Sequence, residues 1–140
     1  MQSPNGSELR HVLVADDEPH IGRIIKMKLE QGPFRVTLVY DGQEAINVLD
    51  RDSERISLVL LDLMMPHRSG LDVLAHMRST ERLRDIPCII LTAAGQDEQH
   101  KRAMELGADD FMTKPFSPRR LYERTVQLAG IGAENEDEAR

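Results

Sequence analysis

The chain has a single cysteine, Cys88, so no intrachain disulfide can staple it. Cys88 stands in an apolar run and reads as a buried thiol. No apolar stretch approaches the roughly 20 residues that a membrane-spanning helix needs. Residues 1–10 are polar and include Pro4 and Gly6, which is not the make-up of a signal peptide. Positive charge is short: 18 Lys and Arg face 24 Asp and Glu, a formal net charge of −6. That balance argues against direct nucleic-acid binding, whose affinity rests on neutralised phosphates. The five histidines (11, 20, 67, 76 and 100) show no HExxH spacing, and no GxGxxG occurs. No repeat appears at the periods of solenoids. These absences leave a cytoplasmic protein with no membrane partner as the expectation.

What is present fits one domain. The chain has 140 residues, 40% of them hydrophobic and 30% charged. A domain of that size buries roughly 70% of its unfolded surface. Residues 1–10 read as a flexible leader, 11–129 as the folded domain and 130–140 as an acidic tail or the start of a linker.

The stretch Leu58-Val59-Leu60-Leu61-Asp62 is an apolar run that ends in a carboxylate. Its lack of polar alternation predicts a strand buried on both faces. Pro66 and Gly70 then lead into a helix carrying Leu71, Leu74 and Met77. Similar strands are predicted at His11–Ala15, Arg35–Tyr40, Cys88–Thr92 and Asp110–Lys114. A helix opening at Pro19 should bury Ile21, Ile24, Ile25 and Leu29. A second, opening at Asp41-Gly42, should bury Ala45, Ile46 and Leu49, with a polar connector over residues 50–57. A polar helix over Gln96–Leu106 stops at Gly107. A last helix starts at Ser117-Pro118 and carries Leu121, Tyr122, Val126 and Leu128. The seven methionines read as core filling.

Five strands alternating with five helices imply an α/β fold with a parallel sheet covered on both faces. The flavodoxin-like, doubly wound (βα)5 order 2-1-3-4-5 is the natural candidate. It brings the strand ends to one edge: Asp16 and Asp17 from the first, Asp62 from the third, Thr92 from the fourth, Lys114 from the fifth. Singly, each has a plain reading as a cap, a turn or a surface residue. Together, three close carboxylates repel unless a cation joins them. Magnesium suits oxygen ligands beside a phosphate, Lys114 suits phosphoryl oxygens, and Thr92 adds a hydroxyl. A carboxylate among them can accept a phosphoryl group as an acyl phosphate.

Asp16-Asp17-Glu18, Asp62 with Met65-Pro66 and Gly70, Leu91-Thr92-Ala93, and Lys114-Pro115-Phe116 together resemble the receiver (CheY-like) domain of two-component response regulators. The resemblance covers residues 10–129. It implies that Asp62 is the phosphoacceptor, modified by a sensor histidine kinase or a histidine phosphotransfer protein. It implies magnesium held by Asp17, Asp62 and the Met64 carbonyl, with Asp16 acting mainly through water. Lys114 would pair with the phosphoryl group, Thr92 would swing toward it, and Phe111 would be an aromatic switch that turns inward. The Lys114–Pro115 bond is typically cis in that family. Met64 and Ala94 would flank the path of the hydrolytic water. Met112, Arg119, Arg120, Glu123 and Arg124 are expected on an output face read by a downstream protein or output domain, with a phosphorylation-dependent homodimer as one assembly. Such a chain is a switch rather than an enzyme, limited to self-catalysed phosphoryl transfer and autodephosphorylation.

Three alternatives remain in view. One is a receiver-fold interaction module that works without phosphorylation. A haloacid-dehalogenase-like phosphatase would need a second aspartate two residues after Asp62, where Met64 stands. A flavodoxin proper would need a hydroxyl-rich loop where Asp16-Asp17-Glu18 stands. The residues after the last helix are too few for a DNA-binding helix-turn-helix, so the chain reads as a stand-alone receiver or as one domain of a longer regulator or hybrid kinase.

Overall fold

The computed structural model describes residues 9–130. Residues 1–8 of the expected leader and 131–140 of the expected tail lie outside that range. The elements alternate without exception: β1 (Arg10–Ala15), α1 (Pro19–Leu29), β2 (Phe34–Val39), α2 (Gly42–Asp52), β3 (Ile56–Asp62), α3 (Gly70–Ser79), β4 (Cys88–Thr92), α4 (Asp97–Glu105), β5 (Asp110–Thr113) and α5 (Pro118–Leu128). All strand pairs are parallel, in the order β2-β1-β3-β4-β5. This is the flavodoxin-like fold that the alternation implies.

Successive side chains of a strand point to opposite faces, so each central strand feeds two cores. Leu13, Ala15, Val59, Leu61 and Ile90 face α2 and α3, where Leu49, Val73, Leu74 and Met77 meet them. Val12, Val14, Leu58, Leu60 and Leu91 face α1 and α5, where Ile25, Leu29 and Leu121 meet them. The apolar runs of β1, β3 and β4 follow from this two-sided burial.

Several boundaries and faces differ from expectation. Arg10 belongs to β1 rather than to the leader, and its amide donates to Pro33 O at 2.9 Å. The connector after α2 shrinks to residues 53–55, because Asp50 to Asp52 continue the helix on its solvent side and β3 begins at Ile56. Ile24 is exposed, since α1 turns Gly22, Ile25 and Leu29 inward. In α5 the fully buried residues are Leu121 and Thr125; the Thr125 hydroxyl donates to Leu121 O at 2.8 Å, which satisfies it inside the core. Among the described methionines only Met77 and Met112 are buried, while Met27, Met64 and Met104 are exposed. Cys88 is buried, and that burial pushes its thiol up to about 12, as expected of an inert cysteine.

No helix among the described residues is long and apolar enough to cross a membrane.

Candidate functional site

The parallel sheet delivers the expected residues to one edge. Asp16 follows β1, Asp62 ends β3, Thr92 ends β4 and Lys114 follows β5. Asp16 and Asp62 are buried, and Asp17 is exposed. One carboxylate oxygen from each of the three aspartates lies within 4.8 Å of the others. Asp16 Oδ1 accepts the Glu18 amide at 2.9 Å, which points the Asp16 carboxyl into the site. The helix-cap reading of this acidic run does not hold: α1 has no side-chain cap, and its N-cap residue, Glu18, is turned elsewhere.

Lys114 binds the carboxylates together. Its Nζ donates to Glu18 Oε1 at 2.8 Å and to Asp62 Oδ2 at 3.1 Å. Asp16 Oδ2 lies 2.9 Å away as a charge contact. That oxygen is buried and has no hydrogen-bond donor. Burial opposes the Lys114 charge, but the contacts with Glu18, Asp16 and Asp62 outweigh it and hold the ammonium above its ordinary range. Burial first, and then the Asp16 charge, push the Asp62 carboxyl up to about 7; Lys114 and the Met64 amide act against both. The Lys114 hydrogen bond holds Glu18 below the usual carboxylate range.

These residues fit a divalent cation. Asp16, Asp17 and Asp62 converge, Asp16 and Asp62 share the single Lys114 charge with Glu18, and a further cation relieves the repulsion that remains among them. Oxygen-only donors with open, solvent-facing positions match magnesium, which binds through one or two carboxylates and keeps several waters.

The loop between β3 and α3 is held by close packing. A Cβ on Gly70 would stand 2.3 Å from Asp62 O and 2.9 Å from Leu63 Cα. A Cβ on Gly42 would stand 1.9 Å from Arg68 O. His67 adopts a left-handed φ of 70°, and its Nδ1 lies 3.0 Å from Asp41 Oδ2. Asp41 also caps α2 by accepting the Glu44 amide at 2.8 Å, and Ser69 closes a capping box with Asp72 on α3. Read along the chain, these glycines look like ordinary helix openers. Their closeness to another backbone has no one-dimensional signal beyond their being glycine.

Thr92 is buried, with its hydroxyl 3.4 Å from both Met112 O and Thr113 Oγ1. Phe111 points outward against His100, with ring centroids 3.8 Å apart and planes inclined at 48°. The Lys114–Pro115 bond is cis. Met64 and Ala94 are exposed beside the site. Arg119, Arg120 and Glu123 are exposed on α5, and Arg124 is half-buried with its Nε donating to Asp110 Oδ2 at 2.5 Å. Met112 does not belong with them. Alternation along β5 turns it into the core beside Leu121, so its place on an output face is corrected. Glu18 is the site residue whose contact the strand-end reading missed, because it lies one residue beyond the aspartate pair and reaches Lys114 only in three dimensions.

A profile of the response regulator receiver domain matches residues 12–126. The chain is 40% identical over 115 residues to the phosphate regulon transcriptional regulatory protein PhoB of Escherichia coli K12, covering 82% of this chain and 49% of that protein. It is 41% identical over 120 residues to the response regulator SaeR of Staphylococcus epidermidis, covering 86% and 50%. The chain thus spans about half the length of these curated relatives. Among solved structures, the receiver domain of the Francisella response regulator 1452 superposes with a TM-score of 0.77 at 32% identity, covering 88% of this chain and 98% of that one. The receiver domain of the sensor histidine kinase PA1611 from Pseudomonas aeruginosa PAO1, described with a magnesium ion coordinated in its active site cleft, superposes with a TM-score of 0.79 at 28% identity, covering 87% and 98%.

Proposed function

Because the chain belongs to the response regulator receiver domain family, we propose that it is a phosphoacceptor switch in which Asp62 takes a phosphoryl group from a histidine kinase or a histidine phosphotransfer protein. The observation that carries this reading is the convergence of Asp16, Asp62 and Lys114 within ion-pair distance at the end of β3.

An Asp62 carboxylate oxygen attacks the phosphorus of a phosphohistidine. A new O–P bond forms as the N–P bond breaks, and the bonding pair returns to the imidazole nitrogen. Asp62 must be ionised to attack. Lys114 favours that form and lies where it can hold an oxygen of the transferred group. Asp17, Asp62 and the Met64 carbonyl would hold magnesium directly, with Asp16 acting mainly through water. Bound there, the cation would offset negative charge on the phosphoryl oxygens. Met64 and Ala94 flank the way in for a hydrolytic water.

The added charge draws the Thr92 hydroxyl toward it. Phe111 then turns into the space that Thr92 leaves. The equilibrium shifts toward a form with an altered α4, β5 and α5, and Arg119, Arg120, Glu123 and Arg124 present the changed surface to a downstream protein or output domain. Phosphorylation-dependent homodimerisation through that surface is one form of output. The reading places the domain in the cytoplasm with its phosphodonor and assigns it no turnover beyond its own phosphorylation and dephosphorylation.

The test is incubation with acetyl phosphate, with and without magnesium, followed by intact mass. A magnesium-dependent gain of one phosphoryl group in the wild-type chain, absent in Asp62→Asn, is the expected result. No gain from acetyl phosphate or from a panel of histidine kinases and phosphotransfer proteins would leave the phosphorylation-independent interaction module as the better account.

A further inference from the structure

We propose that Glu18 is a positioning residue that holds Lys114 in the resting site and must release it when the phosphoryl group arrives. The inference rests on the phosphoacceptor reading of Asp62. An ammonium offers three protons and no acceptor. Lys114 has three carboxylate oxygens within 3.1 Å: Glu18 at 2.8 Å, Asp16 at 2.9 Å and Asp62 at 3.1 Å. Glu18 and Asp62 each take a hydrogen bond from it, and Asp16 Oδ2 stands against it as a charge contact, so a phosphoryl oxygen that comes up beside Asp62 meets an ammonium already crowded by three carboxylates and displaces one of them.

The three are not equivalent. Asp16 is buried, and leaving Lys114 would strand its charge away from water. Asp62 carries the incoming group and cannot move off. Glu18 is half-exposed, comes from the turn before Pro19, and returns to water at small cost. It also holds the shortest of the three contacts. Glu18 thus occupies the coordination position that the phosphoryl group will need. It competes with that group on entry and again while the acyl phosphate persists.

The test compares Glu18→Gln and Glu18→Asp with wild type in the 140-residue chain. Asp keeps the charge but shortens the arm, and at this N-cap position it is drawn toward the free amides of α1. With acetyl phosphate, the Asp62–phosphorus bond forms as the bond from phosphorus to the acetate oxygen breaks, and acetate leaves. Loss of a half-exposed ion pair predicts roughly two- to fivefold faster phosphorylation in both variants, and a comparably longer-lived acyl phosphate. Magnesium affinity should stay within a factor of about two in both variants, since Glu18 is not in the metal set. A long-range charge effect would instead accelerate Glu18→Gln alone and fade with salt; that outcome overturns the proposal, as does an unchanged rate in both variants. A large loss of magnesium affinity in either variant would also overturn it by making Glu18 a ligand.

A second readout does not depend on phosphorylation. Exchange of the Lys114 ammonium protons with water, followed by nitrogen-detected NMR, should be several-fold faster in both variants. Unchanged exchange removes the contact itself. If exchange quickens as expected but wild type takes no phosphoryl group, the contact is upheld, the phosphoacceptor reading fails, and the role of Glu18 in transfer is overturned with it.

Discussion

At the scale of single residues, the site holds a buried carboxylate at a cost in stability. The Asp62 carboxyl is pushed up to about 7 in the fold, against about 4 in an unfolded chain. Between those values the folded state holds the Asp62 proton more often than the unfolded state does. Its contribution to stability is therefore fully present below about pH 4 and is lost as pH rises toward 7. Asp62→Asn removes the buried charge and leaves Lys114 paired with Asp16 and Glu18. At pH 8 that variant should melt several degrees higher than wild type, a gain of about 1–3 kcal/mol. The gain should shrink steadily as the pH is lowered toward 4, as thermal melts followed by circular dichroism will show. Magnesium should raise the wild-type midpoint at pH 8 and leave that of Asp62→Asn nearly unmoved, because the ion stabilises only the state that binds it.

At the scale of elements, the loop between β3 and α3 is held by backbone packed on backbone. Gly70 lies under the carbonyl of Asp62, and Gly42 lies under the carbonyl of Arg68. A methyl at either position cannot be absorbed by a side-chain rotation, because the opposing atom is main chain. Gly70→Ala and Gly42→Ala should each cost about 1–3 kcal/mol in urea unfolding. On the proposed reading of Asp62, Gly70→Ala should in addition slow phosphorylation, since relief of the contact must move Asp62. The strands and the strand-end carboxylates were legible in the sequence, because a parallel strand buried on both faces must be apolar until it reaches its functional end. Helix faces were less so. Ile24 has the right spacing but looks outward, while Thr125 is polar yet fully buried, its hydroxyl hidden in a bond to its own helix. Met112 follows the alternation of a four-residue strand too short to display a period. The glycine contacts and the reach of Glu18 to Lys114 are distances between segments remote in the chain, which no local pattern encodes.

At the scale of the whole molecule, one sheet serves two cores and makes them cooperative. Leu60 packs with α1 and α5, and Leu61, its neighbour on β3, packs with α2 and α3. Leu60→Ala and Leu61→Ala should each cost about 2–5 kcal/mol. Circular dichroism and methyl NMR should still record a single coincident unfolding transition in both, because neither core can be lost while β3 stays in place. On the proposed reading, a switch built on such a frame has to move at its edge. The tilted ring pair of His100 on α4 and Phe111 on β5 sits at that edge. The chain has no tryptophan to report the movement by fluorescence. The pair supplies its own reporter, because a ring centred 3.8 Å away shields the imidazole protons through its circulating π electrons. The carbon-bound imidazole protons of His100 should therefore resonate upfield of those of an exposed histidine, and if Phe111 turns inward on phosphorylation as proposed, they should return downfield in step with it.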